Sequence, residues 1–335
     1  MKYKILIPDR LEAPADIEQS VFGEEYELSL YQAKSHSEIP DKVWAECDAV
    51  LAWHDIHYSS DLLTKMKNCK VIVRVGVGYD NIDLEAAKAN DIIICNVPDY
   101  GTDDVADHAM ALILSLSRGI AEYNIAAKSG QWSWETGNNL RRIKGSTLGI
   151  VGLGRIGTAV ALRAKSFGLD VLFYDPYKPY GYEKVFSIER AASLFDVAAN
   201  SDIITIHAPL TAETNNMINR DFFDVCKNGT MLINTARGGI VNTDHLFDAM
   251  MNNKISKAGL DVLPVEPPDP NHPLISKWKK NEKDWEGRII ITPHSAFYNR
   301  DSYIEMRRKA AEEVKRILEN KEPLNRVDQI SIETL

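Results

Sequence analysis

TLGIVGLGRIGTAVALRAKSFGLDVLFYDP, residues 147–176, is the stretch that decides the fold. It begins as an apolar β-rich run, turns through GLGRIG at 152–157, continues with helical spacing and ends in a second apolar run at Asp175. A G-x-G-x-x-G turn alone is a weak signal, because glycine-rich turns are common. In the order strand, glycine turn, helix, strand and acid, it predicts a parallel α/β sheet that binds a dinucleotide.

Each position of the GLGRIG motif has a predicted role. Gly152 permits the tight turn, Gly154 lets the backbone approach a pyrophosphate, and Gly157 allows the helix to pack closely on the strand. Arg155 and Ile156 fall in the first helical turn, where main-chain N–H groups and the helix dipole favour the pyrophosphate. We therefore expect these five residues to bind the cofactor.

Asp175 follows the second strand, 18 residues beyond Gly157. A carboxylate at this place accepts hydrogen bonds from the adenosine ribose hydroxyls and repels a 2′-phosphate, which favours NAD over NADP. The alternative is that Asp175 only forms a turn before Pro176.

Short β-rich runs alternate with helical patterns along nearly the whole chain, and 335 residues exceed what one hydrophobic core usually organises. The first hundred residues contain five such runs: KILIP, YELSLY, AVLAW, KVIVRV and DIIICNV. A second series has six: TLGIVG, DVLFYD, DIITIHA, TMLINTA, KAGLDV and RIIITP. A long helix is predicted over 102–124 between the two series, and an amphipathic helix over 300–320 follows the last strand. The fold class is α/β, with two Rossmann-like, doubly wound parallel sheets.

Composition excludes several classes of protein. A net charge of −9 without a dense Lys/Arg block argues against a nucleic-acid partner. The opening MKYKILIPDR lacks the apolar region of a signal peptide, and no apolar stretch reaches the length of a membrane span, so we expect a cytoplasmic protein with no membrane partner. The four cysteines are scattered, which predicts reduced, mostly buried thiols and no zinc site.

Three later runs each end with ionisable residues: Arg237 in NTARGG, Asp261 and Glu266 in GLDVLPVEPP, and His294 in ITPHSA. In an open parallel sheet the carboxyl ends of the strands gather at one edge, where ligands bind. Arginine, glutamate and histidine beside a nicotinamide suit hydride transfer between a 2-oxo acid and a 2-hydroxy acid.

The three catalytic candidates have distinct predicted roles. Arg237 binds the substrate carboxylate and polarises the carbonyl, His294 is the acid/base, and Glu266 orients the imidazole. Taken singly, each residue also has a structural interpretation: Arg237 as a surface ion-pair partner, His294 as a loop histidine and Glu266 as an acid that forms a turn.

These motifs together resemble the D-isomer-specific 2-hydroxyacid dehydrogenases, and within them the C-terminal-binding-protein subgroup. The resemblance rests on VRVGVGYDNID, GIVGLGRIGTAVALRAKSFG, VLFYDPY, NTARGG and TPHSAFYNRDSYIEMRRKAAEEV. It implies a substrate-binding, flavodoxin-like domain formed by 1–101 plus 297–335, an NAD-binding Rossmann domain over 102–296, and an active-site cleft between them. It also implies a homodimer formed mainly through the cofactor domains.

The resemblance also assigns residues by motif. Val77 and Gly78 would offer backbone N–H groups to the substrate carboxylate, and Asp261 would face the nicotinamide carboxamide. Five further residues would line the cofactor: His207, Ala208, Pro209, Thr235 and Ala236. His54 in HDIHY would lie near substrate, although ordinary loop packing is its default interpretation, and no third ligand completes a metal site there. His108 is interpreted as a helix residue with a structural hydrogen bond.

The sequence departs from the subgroup at one residue and in one segment, and it also allows an alternative function. Phe297 stands where vertebrate members of the subgroup have tryptophan, so a preference for bulky thioether keto acids does not carry over. The charged segment 277–288, within SKWKKNEKDWEG and its neighbours, is predicted to be a solvated surface loop, with a partner surface or a cover over the cleft as alternatives. Because the subgroup includes corepressors, the rival function is an NAD(H)-sensing scaffold that binds short peptide motifs.

Overall fold

The computed structural model describes residues 2–137, 140–280 and 285–327. The chain forms two compact units. The first runs to Gly101 and resumes at Tyr298, and the second spans Thr102–Phe297, so that the later boundary lies one residue beyond the expected one.

The first unit contains one parallel sheet with the strand order β2-β1-β3-β4-β5. Its strands are β1 Tyr3–Ile7, β2 Tyr26–Leu30, β3 Ala49–Ala52, β4 Val71–Arg74 and β5 Ile93–Cys95. The helices between them are α1 Asp16–Phe22, α2 Asp41–Glu46, α3 Ser60–Leu63 and α4 Leu84–Ala89. Strands β3 and β4 are buried at every position, as expected for apolar strands covered on both faces.

The second unit contains a seven-stranded parallel sheet with the order β12-β11-β10-β9-β6-β7-β8. Its strands are β6 Thr147–Val151, β7 Asp170–Tyr174, β8 Glu189–Arg190, β9 Ile203–Ile206, β10 Thr230–Asn234, β11 Ile255–Leu260 and β12 Ile289–Ile291. Its helices are α5 Thr102–Arg118, α6 Ile120–Lys128, α7 Arg155–Ser166, α8 Tyr182–Phe186, α9 Leu194–Asn200, α10 Arg220–Val225, α11 Thr243–Met251 and α12 Pro273–Lys280. The predicted fold class, with two doubly wound parallel sheets, is confirmed.

Two elements of the second unit differ from the sequence prediction. The helix predicted over 102–124 ends at Arg118, and a new helix begins at Ile120, because Gly119 adopts a left-handed φ of 62° that an α-helix does not tolerate. The two-residue edge strand β8 makes seven strands where six were predicted, and it is too short to show a periodic pattern.

The chain order of the second sheet reverses between β6 and β9. Successive strands run outward from β6 through β7 and β8 on one side, and from β9 through β12 on the other. A crevice opens at the carboxyl ends of the strands at such a switch point. The GLGRIG turn, which follows β6, and the residues after β9 therefore meet at this place.

The last helix, α13 Arg300–Leu318, packs against α1 of the first unit. Its apolar positions Met306, Ala310, Val314 and Ile317 recur at helical spacing and are buried. Arg307 donates from Nε and Nη2 to the two carboxylate oxygens of buried Glu18, at 2.8 and 2.6 Å. Removing one partner of such a buried pair costs roughly 3–5 kcal/mol.

The charged segment 277–288 is not simply the solvated loop that its charges suggested. Residues up to Lys280 belong to α12, whose Leu274 and Ile275 are buried. Trp285 is also buried and stacks on Phe247 at 5.6 Å between ring centroids, and the Arg288 guanidinium lies over the Trp285 ring, 5.0 Å from its centroid. The buried side chains of Leu274, Ile275 and Trp285 therefore hold this segment against the domain despite the lysines between them. Residues 281–284 lie outside the described residues.

All four cysteines are buried thiols, as predicted. Within the described residues no helix is both long and apolar enough to cross a membrane.

Candidate active site

The glycine turn after β6 is shaped by close backbone contacts. Gly152 has φ +91°, and a Cβ there would lie 2.7 Å from the main-chain nitrogen of Ala208, beyond β9. A Cβ on Gly157 would overlap the carbonyl oxygen of Gly152. Both positions therefore require glycine, for the turn itself and for the packing of α7 on β6.

Gly154 is different, because a Cβ built on it meets no heavy atom within 4 Å. It is the N-cap of α7, where no side chain caps the helix. The first-turn residues Arg155 and Ile156 follow directly. A twelve-residue helix whose N-terminus has no side-chain cap, next to open space, fits the pyrophosphate of a dinucleotide.

Asp175 is built into the same turn. Its Oδ2 accepts a hydrogen bond from the Leu153 N–H at 2.8 Å, and its Oδ1 accepts one from the Tyr177 N–H at 3.0 Å. A carboxylate has about four acceptor directions, so two such bonds leave capacity for ribose hydroxyls. Asp175 thus forms a turn, as its simpler reading expected, and that turn ties β7 to the GLGRIG loop.

The residues after β9 and β10 form the next part of the sheet edge. The Nε2 atom of His207 lies 2.9 Å from Thr205 Oγ1. Burial lowers the pKa of the His207 imidazole to about 3. Ala208 and Pro209 follow it. After β10, Thr235 is buried, and its hydroxyl oxygen has no hydrogen-bond partner among the described residues. A buried polar atom without a partner at this edge suits a bound cofactor.

Arg237 follows β10 in a loop that Asn234 organises. The side chain of Asn234 accepts from the Ala236 N–H at 3.0 Å and donates to the Arg237 carbonyl at 2.9 Å. A Cβ on Gly238 would overlap the backbone of Leu263, so the loops after β10 and β11 are in direct contact.

Glu266 and His294 are joined side chain to side chain. His294 Nδ1 lies 2.8 Å from Glu266 Oε2, and the other oxygen of Glu266 accepts from the Leu263 N–H at 2.9 Å. The Phe297 ring meets the imidazole edge to face, at 6.5 Å between ring centroids. Because β10, β11 and β12 are neighbours, Arg237, Glu266 and His294 follow three adjacent strands of one sheet edge.

Asp261, directly after β11, is hydrogen-bonded to the loop that carries His294, and its predicted contact with a carboxamide stays a prediction. Its side chain is almost fully buried, and its two oxygens accept hydrogen bonds from Thr292 Oγ1 and from the N–H groups of Ser295 and Ala296. His108 of α5 reaches the same cluster, with Nε2 3.0 Å from Thr292 Oγ1, so its predicted structural hydrogen bond is confirmed.

Comparison with known proteins identifies the family. The family model for the NAD-binding domain of D-isomer-specific 2-hydroxyacid dehydrogenases matches residues 110–296, more than half of the chain. The chain belongs to this family. Its second unit is accordingly an NAD-binding domain.

Three relatives illustrate the similarity within the family. C-terminal-binding protein 1 of Caenorhabditis elegans is 35% identical over 315 residues, which are 92% of this chain and 42% of that protein. D-3-phosphoglycerate dehydrogenase of Bacillus subtilis is 37% identical over 271 residues, 80% of this chain and 49% of that protein. The chain therefore spans less than half the length of either curated relative. The structure of Aquifex aeolicus D-lactate dehydrogenase with NAD and lactic acid aligns with a TM-score of 0.85 and 30% identity, covering 98% of this chain and all of that one.

The first unit holds the remaining site residues that the dehydrogenase resemblance named. His54 follows β3, in a loop whose Trp53 and Asp55 N–H groups bind the buried Asp9 carboxylate. Val77 and Gly78 follow β4, the neighbouring strand, and Asn96 donates to the Val77 carbonyl at 2.7 Å. Their substrate roles stay predictions. No group of metal-ligating side chains occurs among the described residues.

Sequence reasoning missed the part that Thr292 plays. Nothing in ITPHSA marks the threonine, and His108 lies 184 residues away. The only available signal was position, since Thr292 stands two residues before a candidate catalytic histidine.

Proposed function

We propose that this protein is an NAD-dependent dehydrogenase that interconverts a 2-oxo acid and a D-2-hydroxy acid. The observation that carries the proposal is the 2.8 Å contact between His294 Nδ1 and Glu266 Oε2. These residues follow β12 and β11, the two strands next in the sheet to β10, after which Arg237 lies. In the reducing direction a 2-oxo acid, NADH and a proton give the D-2-hydroxy acid and NAD.

The cofactor, when bound, supplies or accepts the hydride. His294 gives a proton to the carbonyl oxygen during reduction and takes it from the hydroxyl during oxidation. Because Nδ1 is engaged with Glu266, Nε2 carries the exchanged proton. Glu266 fixes the ring orientation and accepts from Nδ1–H. Arg237 binds the carboxylate of the substrate by charge-assisted hydrogen bonds and polarises the carbonyl.

The cofactor-binding residues follow from the same sheet edge. Gly152, Gly154 and Gly157 shape the pyrophosphate turn, and Asp175 accepts from the ribose hydroxyls. We propose NAD in preference to NADP, since a 2′-phosphate would be placed against the carboxylate of Asp175.

The test is a panel of 2-oxo acids with NADH, followed by the loss of NADH absorbance. Arg237→Ala should abolish turnover on the best substrate while NADH binding, measured by calorimetry, persists. Arg220→Ala is the matched control, because Arg220 is an exposed arginine of the same unit, paired with Asp248. Turnover of Arg237→Ala within a few-fold of wild type would refute the assigned role.

A second candidate function is an NAD(H)-sensing scaffold that binds short peptide motifs. The similarity to a protein named C-terminal-binding protein 1, over 92% of this chain, supports it. No turnover across the whole panel, together with tight NADH binding and capture of peptides from a motif library, would favour the scaffold over the dehydrogenase.

We also propose that the protein forms a homodimer through the second unit. Four large apolar side chains are exposed within 120–134: Ile120, Ile125, Trp132 and Trp134, the two tryptophans at 92% and 81%. Large apolar side chains exposed together along one short stretch suit a surface that a partner covers. Light scattering should give twice the mass of the chain, and Trp132→Ser with Trp134→Ser should give the monomer mass. A wild-type monomer would contradict the proposal.

A further inference from the structure

The loop that carries His294 is attached to one residue through three consecutive amides. The His294 N–H donates to the main-chain oxygen of Asp261 at 2.8 Å. The Ser295 and Ala296 N–H groups donate to the two carboxylate oxygens of Asp261, both at 2.9 Å. His294 itself has φ +52°, a left-handed conformation that is uncommon outside glycine and persists only where the surroundings impose it. Asp261 supplies those surroundings.

Thr292 and His108 complete the attachment. Thr292 Oγ1 lies 2.5 Å from Asp261 Oδ1, and His108 Nε2 lies 3.0 Å from Thr292 Oγ1. An ionised carboxylate only accepts hydrogen bonds, and a hydroxyl has a single proton. The threonine proton therefore goes to Asp261, and His108 must donate from Nε2 to the threonine oxygen.

We propose that His108, Thr292 and Asp261 form a loop anchor that positions His294 for proton transfer. His108 and Thr292 act through Asp261, and Asp261 acts through the amides of 294–296, so all three are positioning residues. The anchor rests on the proposed function, because it assigns these residues to that reaction. The Asp261 carboxylate is almost fully buried and accepts from the Thr292 hydroxyl and from the Ser295 and Ala296 N–H groups, which suits this role.

Two features of the structure explain why the anchor should affect rate rather than affinity. The imidazole of His294 is fixed at Nδ1 by Glu266, and its backbone is fixed by Asp261, so its position depends on two separate attachments. A displacement of about 1 Å in a catalytic group can cost roughly a hundredfold in rate. The glycine turn, in contrast, follows β6, which β9 and β10 separate from β11 and Asp261, so NADH binding should be little changed.

The experiment compares Thr292→Val with Thr292→Ser in the full chain. Val removes the hydroxyl at nearly constant volume and should lower kcat by about ten- to a hundredfold, with KM for the 2-oxo acid and Kd for NADH within about threefold of wild type. Ser restores the hydroxyl and should restore most of kcat. His108→Leu should lower kcat less than Thr292→Val, and His108→Gln, which keeps an N–H donor, should recover part of the loss.

Thr230→Val is the matched control. The Thr230 hydroxyl is buried in β10, at the opposite end of the strand from Asn234, and donates to the Lys227 carbonyl at 2.9 Å. This variant loses a comparable hydrogen bond and some stability to urea, yet should keep the wild-type kcat. Equal kcat losses in Thr230→Val and Thr292→Val would show a general loss of stability and would overturn the anchor.

Hydrogen exchange separates failure of the anchor from failure of the dehydrogenase proposal. The amides of 294–296 should exchange slowly in wild type and at least about tenfold faster in Thr292→Val, whether or not any substrate is turned over. Unchanged exchange refutes the anchor, even in an active enzyme. Faster exchange with unchanged kcat refutes its positioning role. Faster exchange in a chain that reduces no 2-oxo acid refutes the dehydrogenase, and with it the assignment of the anchor to that reaction.

Discussion

The turn after β6 and the loop after β12 both present main-chain groups at the same edge of one sheet, but they are held in shape by opposite means. The turn depends on side chains that are absent: a Cβ on Gly152 or Gly157 would collide with backbone. The loop depends on side chains that are present, since Asp261 binds the N–H groups of Ser295 and Ala296.

The difference has a consequence for how each region responds to change. A turn made by close backbone contacts has no neighbour that can move aside, so an added methyl group should destabilise the whole unit. A loop held by hydrogen bonds can lose one of them and remain folded while its histidine shifts. Substitutions in the turn should therefore lower the stability of the protein and its affinity for NADH, whereas substitutions in the loop should lower kcat.

The largest effect is expected from two glycine variants that separate packing from ligand contact. Gly157→Ala places a methyl group on the Gly152 carbonyl and should destabilise the chain by about 1–3 kcal/mol, with NADH affinity reduced at least about a hundredfold. Gly154→Ala meets no atom within 4 Å at φ −74° and should leave the free energy of unfolding unchanged. It should still weaken NADH binding, because the methyl group occupies the approach to the pyrophosphate.

Urea unfolding and calorimetry with NADH measure the two effects on the same samples. If Gly154→Ala bound NADH like wild type, the turn would not be the pyrophosphate site. If Gly157→Ala were as stable as wild type, the backbone contact would be softer than the structure shows.

Glu266→Gln should have the next largest effect, in the loop region. The Leu263 N–H requires an acceptor, so the Gln oxygen should bind it and turn the NH₂ group toward His294 Nδ1. That reverses the hydrogen bond to the ring, and kcat should fall by roughly 10²- to 10⁴-fold. NADH affinity should stay close to wild type. Glu189→Gln, an exposed change of the same charge in β8, is the control, and an active Glu266→Gln would mean that His294 is oriented by another group.

The two regions also differ in how far the sequence could predict them. The glycine turn is local: six residues, the flanking strand and helix, and the acid after β7 were all visible as one pattern. Arg237, Glu266 and His294 required the additional step that parallel strands end at one edge, and that step placed them on three neighbouring strands. The anchor was beyond reach, because it depends on the left-handed φ of His294 and on contacts across 31 to 184 residues.

Two further differences between the sequence prediction and the structure also have physical causes. The break at Gly119 follows from a single left-handed residue inside an otherwise periodic apolar pattern. The segment 277–288 was judged by its charges, whereas Leu274 and Trp285 decide its packing.

A smaller effect is expected at Asp175, where the turn meets the adenosine end of the cofactor. Asp175→Asn keeps one oxygen for the Leu153 N–H and removes the negative charge. The ratio of kcat/KM for NADH to that for NADPH should fall by about tenfold, which corresponds to about 1.4 kcal/mol. Measuring both cofactors with one substrate tests this directly, and an unchanged ratio would show that another group discriminates against the 2′-phosphate.

The smallest expected effect concerns stability as a function of pH, at the histidine beside the glycine turn. Burial lowers the pKa of His207 to about 3, whereas in the unfolded chain it is about 6.5. The unfolded chain therefore binds the proton more tightly. The stability contributed by neutral His207 is complete above about pH 6.5 and is lost progressively as the pH falls from there toward 3. Between pH 7.5 and 5.5, wild type should lose about 1 kcal/mol more than His207→Asn in urea unfolding. If the free energies of unfolding of the two proteins changed in parallel with pH, His207 would be protonated in the folded state. The packing beside Ala208 would then tolerate a positive charge.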